Sequence, residues 1–205
     1  MFARSTTFRA APLTIDEGIA YVRDEVMPAA LATKGCIGLS MICDRGSGRC
    51  ITTSAWSTSD ARDAGGRTMR PLLQRGREIF GAEPSVDLWE IVVLHRHGIS
   101  GEGAGVRCTW LNLDKSELSH AIRTYRMAML PAYEEMGGFV SASLMLDRAT
   151  GRAVSSATFD SGDALVASRP AAQRLRSRTG QDLGTTVTDM QEFELSIPHL
   201  HLPEL

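Results

Sequence analysis

The segment Asp44-Arg45-Gly46-Ser47-Gly48-Arg49 returns 103 positions later as Asp147-Arg148-Ala149-Thr150-Gly151-Arg152. Extended outward at that offset, Pro28–Ala64 lies on Pro131–Ala167 without a gap, and 11 of the 37 columns are identical, among them Gly35/Gly138, Ser40/Ser143 and Asp60/Asp163. A repeat of this length is a whole domain rather than a solenoid unit, so one domain has been duplicated and fused. The predicted organisation is a first repeat over residues 1–98, a Gly-rich linker over 99–105 and a second repeat over 106–205.

Inside each repeat the same order of elements can be read. Ile15, Ile19, Val22 and Val26 fall on one apolar helix face, and Leu118, Ile122, Tyr125 and Met129 repeat it. Pro28 and Pro131 predict where each helix stops. Two strands around the quoted turn follow, Cys36–Cys43 with Cys50–Ser57 and Phe139–Leu146 with Ala153–Asp160, each read as a hairpin. A second helix is predicted over 60–80 and 163–178, with Gly65, Gly66 and Pro71 breaking the first copy. Last strands at Leu88–Leu94 and Met190–Ile197 and opening strands at Ala3–Arg9 and Val106–Asn112 complete a βαββαβ order, twice. In the turns, aspartate can bond backbone amides and glycine can supply positive φ, which explains the recurrent string.

The bulk numbers bound the function. With 43% hydrophobic residues the 205-residue chain can bury a core in each half, and a net charge of −2 gives no reason to expect nucleic acid. No 18-residue apolar run and no signal-type opening is visible, so the expected place is the cytoplasm and no membrane partner is expected. Cys36, Cys43, Cys50 and Cys108 contain no CxxC pair and read as small buried hydrophobes; Cys43 and Cys50 flank the turn, where a cross-strand disulfide is conceivable but not needed.

With the two βαββαβ copies, Ser-Ala-Trp56-Ser-Thr-Ser-Asp60-Ala61 leading into the second helix and Ala-Thr-Phe159-Asp-Ser-Gly-Asp163-Ala164 at the matching place, the chain resembles the antibiotic-biosynthesis-monooxygenase (ABM) type of dimeric α+β barrel. The resemblance implies an α+β fold in which two tandem ferredoxin-like repeats pack as a pseudo-dimeric barrel. It also implies a choice of activities: cofactor-independent oxygenation of an aromatic or phenolic substrate, heme degradation, or binding without turnover. The heme-degrading branch carries a histidine on the second helix. Here His95, His97, His120, His199 and His201 all lie elsewhere, which argues against heme degradation. The expectation is a small-molecule-binding barrel, with monooxygenase activity as one form of it, no cofactor, and a monomeric pseudo-dimer or its homodimer as the assembly. The alternative is a non-catalytic, stress-associated ligand carrier or interaction protein.

Candidate chemistry sits on recurrent charges. Arg4 and Arg107 share a place on the opening strands and Glu90 and Glu192 on the last ones, strands that neighbour each other in a ferredoxin-like sheet. The expectation is an Arg4/Glu90 and an Arg107/Glu192 pair, either orienting an anionic substrate beside a carboxylate base or merely satisfying each other. Trp56, Trp89, Trp110 and Phe159 are the candidate substrate-binding aromatics, weighed against plain core packing; Trp56 matches Phe159, whereas Trp89 matches Gln191 and Trp110 matches Thr7. Ser40, Thr52, Ser54, Ser141, Ser143 and Ser155 could line a cavity or sit at exposed edges. His95/His97 and His199/His201 have metal-compatible alternation but no nearby third ligand in sequence, so no metal is assigned.

Overall fold

Each repeat packs its helices beside one another and has a strand at its beginning and its end. A computed structural model describes residues 1–183 and 185–198, with only the backbone described for 180–183. In the first repeat the order is β1 (Phe2–Arg9), α1 (Ile15–Tyr21), α2 (Met27–Leu31), β2 (Cys36–Asp44), β3 (Arg49–Trp56), α3 (Ser59–Thr68), α4 (Arg70–Phe80) and β4 (Ser85–Arg96). The second repeats it as β5 (Gly105–Asn112), α5 (Leu118–Thr124), α6 (Leu130–Glu134), β6 (Phe139–Asp147), β7 (Arg152–Phe159), α7 (Gly162–Ala167), α8 (Arg169–Leu183) and β8 (Thr186–Ile197).

The quoted turns close both hairpins, with Asp44 opposite Arg49 and Asp147 opposite Arg152. Asp44 accepts from the Gly46 amide at 2.9 Å and the Ser47 hydroxyl at 2.6 Å; Asp147 does the same with Ala149 at 3.0 Å and Thr150 at 2.6 Å. Gly48 and Gly151 stand at φ 74° and 79°, and a Cβ there would meet the carbonyls of Ala10 and Leu113 at 2.0 and 2.4 Å. Both causes of the recurrence, the capping aspartate and the left-handed glycine, are local.

The first helix does not stop at its proline. A π-helical turn, Val22–Val26 and again Tyr125–Met129, precedes Pro28 and Pro131, and the helix continues to Leu31 and Glu134. The Met27 amide reaches back to the Val22 carbonyl and the Leu130 amide to Tyr125, five residues each. The amide that closes the widened turn, from Met27 or Leu130, belongs to the residue immediately before the proline, which lacks an amide hydrogen and whose ring would crowd the preceding turn. The second helix is broken in both copies, at Met69 and at Ser168, rather than at Gly65-Gly66. Pro71 and Pro170 then occupy the second position of the new helix, where a missing amide hydrogen costs nothing.

The strand order is β1-β3-β2-β8-β5-β7-β6-β4, closed as a barrel. Each repeat therefore keeps the ferredoxin-like order β4-β1-β3-β2 or β8-β5-β7-β6. The twelve-residue β4 and β8 are longer than predicted, and their ends are exchanged. The end of β4 pairs with β6, from Glu90 opposite Leu146 to Arg96 opposite Ser141, and the end of β8 pairs with β2, with Leu195 opposite Ile42. One compact unit accordingly gathers Met1–Trp89 with β8 from Glu194 on, and the other Glu90–Phe193. Each has its own core: Phe8, Ile15, Leu39, Met41 and Phe80 in the first, Tyr125, Phe139, Leu146, Phe159 and Leu175 in the second. The four cysteines are thiols, with Cys43 directly opposite Cys50 and both fully buried.

Candidate functional site

In the second repeat the expected charge pair forms. Arg107, on β5 and 4% exposed, donates to Glu192 Oε1 at 2.7 and 3.0 Å. Its other hydrogens go to the Ser168 hydroxyl and the Leu165 carbonyl, both at 2.9 Å, and its guanidinium lies 5.8 Å from the centre of the Phe159 ring. Burial pushes the Glu192 carboxyl up, but hydrogen bonds from Arg169 and Arg107 outweigh it and hold it below the usual range. The break in the helix at Ser168 is what brings a hydroxyl and a carbonyl to Arg107.

In the first repeat it does not. Glu90 is bound by both Nε and Nη2 of Arg148, a residue of the second hairpin turn, and that contact lowers its pKa. The expected Arg4/Glu90 pair is thereby corrected: from Glu90 on, β4 runs beside β6, and the pairing of Glu90 with Leu146 sets it near the turn that carries Arg148. Arg4 remains half-buried against α3, where a Cβ on Gly66 would lie 2.9 Å from its Nη1. Burial first, and Arg62 second, lower its pKa.

Each repeat has a cavity between its sheet and its helices, partly open and built from matching positions. The first, about 70 Å³, includes Arg4, Thr6, Phe8, Trp56, Leu73 and Gly76. The second, about 550 Å³, is lined by Thr109, Leu111, Tyr125, Tyr133, Ser155 and Arg176 among others. Leu73 and Arg176, Gly76 and Thr179, Val22 and Tyr125, Ala30 and Tyr133 are counterparts at the repeat offset of 103. The larger cavity therefore carries the more polar wall. Its volume falls in the range of about 300–1,000 Å³ typical of small-molecule sites.

That wall is ordered by hydrogen bonds. Ser155 donates to the Tyr125 hydroxyl at 3.2 Å, which donates to the Ser143 carbonyl at 3.0 Å. Burial pushes the Tyr125 phenol well up, and Tyr133 next to it adds to the effect. Burial raises Tyr133 too, with Ser155 partly offsetting it. Both phenols are therefore held protonated. Arg176 is half-buried, its pKa lowered by burial and then by Arg107. Among the described residues it forms no salt bridge, so a cation stands at the wall of an open pocket without a bonded carboxylate.

The candidate aromatics part company. Trp56 lines the smaller cavity, its indole N–H donating to the Ser54 hydroxyl at 2.9 Å. Trp89 and Phe159 are buried in the packing, and Trp110 meets the Phe193 ring edge-on at 6.3 Å; none of these three lines either cavity. Of the small polar strand residues, Thr52 and Ser54 line the first cavity and Ser155 the second. Tyr133 and Arg176 went unnoticed in the sequence because their counterparts are Ala30 and Leu73: divergence between the copies was the available signal. His95 lies 2.7 Å from Glu134 and stacks on Phe139, while His199 and His201 fall outside the described residues. Among the described residues, no cluster of three or more metal-ligating side chains occurs.

No protein-family model matches the chain. It is 47% identical over its full length to the uncharacterized protein Rv2557 of Mycobacterium tuberculosis (strain H37Rv), covering 92% of it, and 48% identical to Rv2558 of the same strain, covering 87%. Among solved structures it is similar in fold to a candidate monooxygenase from Lactobacillus acidophilus, with TM-score 0.69, 11% identity and 99% of this chain and 95% of that one covered. A ferredoxin-fold protein related to antibiotic biosynthesis monooxygenases from Listeria monocytogenes matches with TM-score 0.56, 11% identity and 100% and 96% coverage. The chain has the fold of a tandem, ABM-like α+β barrel, and by its near-half identity across its whole length it belongs to the family of Rv2557 and Rv2558.

Proposed function

We propose that the protein binds a small, partly apolar molecule carrying a phenolate or carboxylate in the second-repeat cavity. The observation that carries this reading is Arg176, a half-buried cation at the wall of a cavity of about 550 Å³. Tyr133 and the Ser155–Tyr125 hydroxyls stand beside it as neutral hydrogen-bonding groups. A guanidinium kept partly out of water gains most from an anion that also fills the apolar wall of Leu111, Leu113 and Leu144.

The likeness in fold to candidate monooxygenases favours oxygenation of that molecule as the reaction. An electron-rich phenolate or enolate can itself reduce O₂: a CH₂ group becomes C=O, one oxygen atom enters the product and the other leaves as water. Among the described residues the lining of the cavity contains no carboxylate or histidine, and its two phenols are held protonated. The substrate would therefore enter already ionised, with Arg176 holding the anion that gives up electrons.

Native mass spectrometry of the protein purified from its own host, alongside Arg176→Gln, tests the binding. A stoichiometric small molecule present in the wild type and lost in the variant is the expected result. An empty wild type that also fails to take up salicylate at millimolar concentration would overturn it. Oxygen uptake by the loaded protein, one O₂ per ligand consumed, separates an oxygenase from a carrier.

A further inference from the structure

The duplication supplies an internal control for Arg4. Its counterpart Arg107 is satisfied by Glu192, the Ser168 hydroxyl and the Leu165 carbonyl. At the corresponding positions of the first repeat stand Glu90, Gly65 and Arg62. Glu90 is committed to Arg148. Gly65 has no hydroxyl to offer, and among the described residues Arg4 makes no hydrogen bond to the Arg62 carbonyl, the counterpart of the Leu165 carbonyl. Arg62 is itself bound to Asp63 at 2.9 Å, so the carboxylate that acts on Arg4 from a distance is already engaged. Among the described residues no hydrogen bond or ion pair reaches the Arg4 guanidinium.

The space in front of it is built rather than left over. Gly65 and Gly66 admit Trp56 and Arg4 against α3, since a Cβ at Gly65 would lie 2.1 Å from the Trp56 ring and one at Gly66 2.9 Å from Arg4 Nη1. The resulting cavity of about 70 Å³ is closed by Phe8, Leu39, Leu72 and Phe80 and edged by the hydroxyls of Thr6, Thr52 and Ser54. That is room for roughly five water positions, hence a ligand of about five to nine non-hydrogen atoms. An apolar cavity with one cation and a few hydroxyls at its edge selects a small molecule with an anionic end and an apolar body.

We propose that the first-repeat cavity is a second, separate ligand site, for a small apolar monocarboxylate whose carboxylate supplies to Arg4 what Glu192 supplies to Arg107. The site does not depend on the second-repeat pocket. Occupied, it completes the hydrogen bonding that the second copy makes and the first lacks, and it stabilises the packing of α3 on β1.

The test follows the indole N–H resonance of Trp56, which reports this cavity alone because Trp89 and Trp110 do not line it. The full chain is titrated with benzoate and with isovalerate, and with benzamide as the neutral counterpart. The expected result is a saturable shift of Trp56 with at least one acid, weakened tenfold or more in Arg4→Gln and by the same factor for the amide. Thermal unfolding of the ligand-free Arg4→Gln variant should leave Tm unchanged or raise it, since no partner is lost, whereas Arg107→Gln lowers it. An unmoved Trp56 with both acids, equal binding by Arg4→Gln or by benzamide, or a fall in Tm for Arg4→Gln matching that of Arg107→Gln would each overturn the proposal. Binding that depends on Arg176 while Trp56 stays unmoved would overturn this site and leave the second-repeat reading standing.

Discussion

Glu192 Oε1 receives two hydrogen bonds from Arg107, at 2.7 and 3.0 Å, while its counterpart Glu90 is held by Arg148 instead of Arg4. One duplicated residue pair has thus become a closed contact, buried on its arginine side, in one copy and two separate residues in the other. The two copies should respond differently to the same change.

Arg107→Met is expected to destabilise the protein by about 3 kcal/mol, the low end for breaking a buried pair, because Arg169 still holds Glu192. Arg169→Met, on an exposed residue, should shift the urea midpoint far less. Comparison of the two midpoints at neutral pH checks this.

The acid limb of stability should be sensitive to Glu192. Its folded pKa lies below the ordinary value, so the unfolded chain takes up its proton first as pH falls. The stabilisation is fully present above the ordinary glutamate pKa of about 4.3 and is lost as pH drops through the lower folded value. Glu192→Gln should therefore show a flatter dependence of the unfolding midpoint on pH between about 5 and 3 than the wild type.

Tyr125→Phe removes the hydroxyl that links Ser155 to the Ser143 carbonyl and should cost about 1–2 kcal/mol. All three tyrosines, Tyr21, Tyr125 and Tyr133, have phenols raised by burial. The rise in absorbance of the folded protein at 295 nm should therefore come above the ordinary tyrosine range, about pH 10.

Gly65→Ala should destabilise by about 1–3 kcal/mol, since the new methyl would lie within 2.1 Å of the Trp56 ring and the indole must move into the cavity. Trp56 emission should change with it. The same substitution at Ser168, its counterpart, removes a hydroxyl from Arg107 rather than adding a methyl, and should leave Trp56 emission as it was.

What the sequence determined by itself was whatever is local or repeated. Asp44 and Asp147 cap their turns, Gly48 and Gly151 take positive φ, and the apolar faces from Ile15 and from Leu118 pack inward, because each depends on a few neighbouring residues and appears twice. That the helices run on through Pro28 and Pro131 is also a local matter, resolved by a π turn that the apolar spacing does not betray. Which carboxylate meets Arg4, and which residues share a cavity, only the tertiary structure decided. The end of β4 crosses to β6, and that long-range register carries Glu90 to Arg148. Tyr133 and Arg176 line one cavity while lying 43 positions apart in the chain. A side chain's partner is set by strand register and helix packing over such distances, and no spacing within the chain encodes them.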